Sequence, residues 1–126
     1  MKGIVITSGN VMRVQDFGEP LYKTVGDVVG GYIEHVHPAM LRSPYCMIVN
    51  EDGLFKCHDV NIIGSALYGC GTLHSMSIFG NIVIMKDGYV NGEPDIVGLE
   101  DDEIVQFCIE FVFLAEQLGI NFRKEE

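Results

Sequence analysis

The stretch VGGYIEHVHP, residues 29–38, closes one element and opens another of different period. Upstream of it, Leu21, Val25 and Val28 recur at spacings of four and three, and Pro20 suits a first helical turn. Gly30-Gly31 stops that helix, because glycine enters the left-handed conformation without steric cost. Residues 32–37 then read as a strand, with His35 and His37 sharing a face with Ile33. Pro38 ends it. A helix running straight into a strand predicts a mixed α and β chain.

Working outward, residues 2–7 are β-branched, Ser8-Gly9-Asn10 is turn chemistry, and residues 11–17 return as a hairpin partner. Residues 45–50 are a second strong strand. Glu51-Asp52-Gly53 predicts a turn from which residues 54–57 run back. Asp59 is placed to cap a short helix over 60–68, and Asn61 is a further cap candidate. Residues 74–86 read as strand interrupted at Gly80-Asn81, and 87–98 as a polar loop with a short strand at 95–97. Glu100-Asp101-Asp102-Glu103 puts four carboxylates at the positive end of a helix that runs to Leu118 and stops at Gly119. The expectation is an α+β fold: one small domain over residues 1–126 with a mostly antiparallel sheet. A short helix is expected near 20–29 and a long C-terminal helix near 101–118, with 123–126 a flexible tail.

A formal charge of −10 on 126 residues, with the eight basic residues scattered, disfavours direct nucleic-acid binding. It suits solubility or a basic protein partner. The apolar run at the start is too short for a secretory signal, and Glu110 interrupts the longest apolar stretch, so no membrane span is expected. Cys46, Cys57, Cys70 and Cys108 show no Cys-x-x-Cys spacing and read as reduced, mostly buried thiols of a cytoplasmic protein.

Catalytic signatures are missing from the sequence. Gly69-x-Gly71 lacks the third glycine of a dinucleotide fingerprint, and there is neither a Walker lysine nor a Gly-x-Ser-x-Gly elbow. No cofactor is expected. Nor is a metal, because no His or Cys pair has a zinc-motif spacing; if one binds, His35, His37, Cys57 and His74 are the candidate ligands. Tyr32 and Glu34 on one strand, Asn50 at the end of the next and Asn61 are the candidate ligand-binding residues. Lys23, Arg42 and Lys56 are the available cations for an anionic ligand. In the last helix, apolar residues from Ile104 to Leu114 wrap about two-thirds of the circumference, more than one sheet covers. That surplus predicts a homo-oligomer burying Phe107, Phe111, Leu114 and Leu118.

Val29-Gly30-Gly31-Tyr32-Ile33-Glu34, Asn50-Glu51-Asp52-Gly53, Asn61, Gly80 and the segment 99–104 together resemble an uncharacterised family of bacteriophage, plasmid and other mobile-element proteins. The resemblance covers roughly residues 2–113. The chain departs from it at Ile62-Ile63-Gly64, where such proteins look more basic, and in its long aromatic last helix. The resemblance implies context and not an activity. Small phage proteins of this size are often host-takeover or counter-defence factors that bind without transforming. The leading expectation is therefore a small non-enzymatic binding protein, one that sequesters a small anionic ligand such as a nucleotide signal or blocks a host protein. The alternatives are an acidic protein–protein inhibitor or nucleic-acid mimic, and a metal-dependent hydrolase built on the His/Cys residues.

Overall fold

The computed structural model describes residues 1–56, 59–69 and 77–125. Its elements in chain order are β1 (Lys2–Ile6), β2 (Val11–Asp16), α1 (Leu21–Val29), β3 (Ile33–Val36), β4 (Tyr45–Asn50), α2 (Ile62–Tyr68), β5 (Ile82–Val90), β6 (Glu93–Val97), α3 (Asp101–Gln117) and β7 (Arg123–Glu125). The seven strands form one sheet in the order β3-β4-β5-β1-β2-β7, with β6 paired to the far half of β5. Among the described residues, all pairings are antiparallel except β2 with β7. The α+β architecture read from the sequence holds, including both helices that flank the motif-bearing segments.

Side-chain alternation divides the core into two layers. Ile4, Ile6, Met47, Ile82 and Ile84 face α2 and α3, where Ile63, Leu67, Phe107 and Phe111 meet them. Val5, Cys46, Ile48, Val83 and Met85 face the other way, against Val25 and Val29 of α1. Central strands buried on both faces read as unbroken apolar runs, which is why Ile4-Val5-Ile6 and residues 82–85 lack a polar alternate. Among the described residues, α1 is the helix that covers this second face. The rows that end at His37 and Asp87 lie beyond it.

Four local expectations are corrected. Residues 51–56 are successive turns and not a returning strand. The reason is pairing: β3 and β5 already occupy both edges of β4. The short helix begins at Ile62 because Asn61, and not Asp59, is its cap; Asn61 Oδ1 accepts from Gly64 N at 2.8 Å. The supposed polar loop 87–98 is instead a hairpin. Asn91 (φ 52°) and Gly92 (φ 81°) supply the two left-handed residues of a two-residue turn between Val90 and Glu93. Finally, Arg123–Glu125 forms β7, held in register with Val11–Arg13, where a flexible tail was expected.

Candidate functional site

One face of α1, from Tyr22 to Asp27, and the Gly30-Gly31 turn form one wall of an open cleft of about 620 Å³. Gly30 caps α1 in the left-handed region at φ 87°, and its N–H and that of Gly31 both donate to Gly26 O. These two hydrogen bonds turn the chain sharply, and Tyr32 then lines the same cleft as Tyr22 of the first turn of α1. Both rings line the cleft and are largely exposed, at 75% and 70%. Lys23, Lys56, Asp27 and Glu51 complete its polar rim. Gly31 is closely approached by side chains: a β-carbon there would stand 2.8 Å from Lys56 Nζ, the free end of a flexible chain, and 3.2 Å from Asn50 Nδ2.

Asn50 is the support beneath this turn. Buried at the end of β4, it donates from Nδ2 to Val29 O at 3.0 Å and accepts the Asp52 N–H at 2.8 Å. It ties the last residue of α1 to the turn that carries Glu51. Asn81 Nδ2 donates likewise to Val28 O, so two of the last carbonyls of α1 are held by asparagine amides.

The four residues expected to bind ligand do not all converge: Glu34 and Asn50 border one groove, and Tyr32 and Asn61 lie apart from it. Tyr32 lines the cleft. Glu34 is exposed and points to the opposite face of the sheet, across from Val49. Asn61 is fully buried, with Nδ2 donating to Ile6 O and Gly80 O at 2.9 Å each, and it serves as an internal cap. Of the expected cations, Lys23 and Lys56 share the cleft, whereas Arg42 lies beside Tyr45 and Glu103 in a different groove. Tyr22 was missed, although it lies eight residues, about two turns, before Gly30 and so shares the face of α1 that carries Gly26 into the cleft.

His35 and His37 do meet chemistry, but with other partners than expected. Asp87 accepts from both: His35 Nε2 lies 2.7 Å from Oδ1 and His37 Nε2 lies 2.6 Å from Oδ2. Their rings pack edge to face at 4.6 Å. Burial pushes the Asp87 carboxyl up, but the two histidine hydrogen bonds outweigh it and hold the group below the usual carboxylate range. Beneath them, burial and the neighbouring Asp87 carboxylate push the Cys46 thiol up to about 12. Cys57 and His74, the other two metal-ligand candidates, lie outside the described residues.

A family model described as Domain of unknown function (DUF3846) matches residues 1–111. The chain belongs to the DUF3846 family. No curated protein matches it, and no solved structure does. The DUF3846 match takes in the whole Gly30-Gly31 cleft and the His35–Asp87 cluster, and it ends within α3 after Phe111. Among the described residues, no helix of this DUF3846 chain is long and apolar enough to cross a membrane.

The oligomer residues chosen from the sequence are also redistributed. Phe107 and Phe111 are core residues of α3, stacked at 5.3 Å, and Leu114 packs against the same core. Leu118 is exposed, and the apolar surface α3 presents outward is instead Val105, Ile109 and Phe113. A helix apolar over most of its circumference does not announce which side the sheet will take.

Proposed function

We infer that this domain is a small binding module whose Gly30-Gly31 cleft takes a nucleotide-like ligand, a planar ring carrying phosphate. The observation that carries the reading is that Tyr22 and Lys23 from the first turn of α1 line the same cleft as Tyr32 and Lys56. The cleft volume falls within the usual range of small-molecule sites, roughly 300–1,000 Å³. Tyrosine faces stack any planar base, a contact worth about 1–3 kcal/mol per base. Asp27 and Glu51 accept hydrogen bonds from base amino groups, while the lysines meet phosphate. Two cations against two carboxylates make the rim locally balanced on a chain of net charge −10. Charges more than about 8 Å away are largely screened at physiological salt, so the local balance decides what can approach. The mobile-element context implied by the sequence resemblance suits a protein that sequesters such a ligand without turning it over.

Calorimetric titration with AMP, GMP and ATP tests the reading. Binding should weaken about tenfold in Tyr32→Ala, from lost stacking, and by a similar factor in Lys56→Gln, from the lost charge-assisted phosphate contact. Affinity equal to wild type in both variants would place the ligand elsewhere.

The outward face of α3 supports a second element of the same reading. Val105, Ile109 and Val112 border an apolar groove with Val14 of β2, and a second copy of the chain is the proposed cover.

A further inference from the structure

We propose that His35, Cys46 and Asp87, with His37 at the rim, form a site for a zinc-type divalent metal ion. His35, Cys46 and Asp87 come from β3, β4 and β5, His37 directly follows β3, and strand periodicity is what assembles them. His35 pairs with Ile48, Ile48 with Val83, and Cys46 with Met85. Positions 35, 37, 46, 85 and 87 therefore share one face of the sheet. Cα register alone would leave Asp87 a row beyond Cys46. The Asp87 N–H donates to Pro44 O at 2.7 Å, which keeps that row paired and brings the carboxylate over the thiol.

One ligand atom each from His35, Cys46 and Asp87 lie within 4.8 Å of one another. Bonds of about 2.0 Å to nitrogen or oxygen and 2.3 Å to sulfur separate tetrahedral ligand atoms by roughly 3.3–3.7 Å. The cluster therefore reaches coordination geometry through side-chain shifts alone. Cys46 is wholly buried and forms the floor, whereas the His35 and Asp87 side chains are 35% and 37% exposed, leaving an open side for entry.

The donor chemistry selects the ion. Two imidazoles, a thiolate and a carboxylate suit zinc and its cobalt substitute, and not magnesium or calcium, which take oxygen ligands. In the metal-free protein, polar hydrogens of His35 and His37 meet the Asp87 carboxylate, and the Cys46 thiol lies within 4.8 Å of it. A divalent ion takes their place. The thiol proton leaves to solvent, each imidazole carries its proton on the other ring nitrogen, and no electron is transferred. The Gly30-Gly31 cleft shares none of these residues, so the two inferences stand or fall separately.

Chelator-stripped protein titrated with Co²⁺, then competed with Zn²⁺, provides the test. One equivalent should bind with a near-ultraviolet thiolate-to-cobalt band and the strong visible bands of a tetrahedral site. Cys46→Ser should abolish the thiolate band, and Asp87→Asn should weaken uptake at least tenfold. Asp87→Asn retains the shape of a side chain that is one-third exposed, so it keeps the test valid if Cys46→Ser fails to fold. A Cys57→Ser/Cys70→Ser double variant should leave the band intact. Failure of the wild type to take up Co²⁺ would overturn the proposal, as would a thiolate band that follows Cys57 and Cys70 and ignores Asp87.

Discussion

Glu103 shows how much one side chain can organise. Its Oε1 accepts the Glu100 N–H and Lys86 Nζ at 2.8 Å each, and its Oε2 accepts the Tyr45 hydroxyl at 2.6 Å. It closes the capping box of α3 and fastens the helix to β4 and β5 at once. Both Glu103 and Lys86 are mostly buried, so the pair is shielded from solvent. Glu103→Gln should cost about 1–3 kcal/mol in urea unfolding at neutral pH, because it leaves Lys86 without its charge partner. Burial pushes the Glu103 carboxyl up, but the Lys86 and Tyr45 hydrogen bonds prevail and its folded pKa lies below the ordinary 4.5. A depressed folded pKa contributes stability that is fully present above pH 4.5 and is lost as pH falls through the folded value. The gap between wild type and Glu103→Gln should therefore shrink in unfolding curves taken on the acid side of that value. The acidic start of this helix was legible as a cap. Its reach into the sheet was not, because a carboxylate's long-range partners leave no mark in local sequence. Asn61 shows the same limit from the other side, since one asparagine suits a cap or a ligand contact equally until its burial is known.

The hairpin of β5 and β6 carries the largest lesson among the elements. Asn91-Gly92 is the strongest short hairpin signal a sequence offers, yet the polar residues around it pass for a loop. Reading it as a turn extends β5 through Asp87, and period-two alternation then sets Asp87 on the face of His35, His37 and Cys46. The histidine cluster was thus half legible: the His-x-His face was visible, but its carboxylate was hidden in the misread loop. Gly92→Ala should destabilise the domain by about 1 kcal/mol, since φ is +81° with open space around the site and the cost is conformational. Thermal melts of that variant beside Asn91→Gly, which keeps the left-handed conformation accessible and should be near neutral, check the assignment. For α3, Ile109→Glu should convert a dimer to monomer by light scattering, whereas the wild type and a Leu118→Ala control should stay associated. A wild type that runs as a monomer would contradict the proposed second copy.

At the scale of the molecule, the sheet with α1 on one side and α2 and α3 on the other follows from alternation that the sequence displays openly. Strand order and the parallel pairing of β7 with β2 did not follow, because three charged residues carry no periodicity. The fold holds Gly30 to Tyr32 together as one wall of the cleft. The stop of α1, the bonds from Gly30 and Gly31 to Gly26, and the Asn50 tie set two tyrosines and two lysines around one opening. Amide-resolved NMR titration of the uniformly labelled protein with AMP, GMP and ATP tests that claim most directly. Saturable shifts concentrated at Gly26, Gly30, Gly31, Tyr32 and Glu51 are the predicted result. Spectra unchanged by all three nucleotides, or shifts confined to α3 or the β5–β6 hairpin, would contradict it.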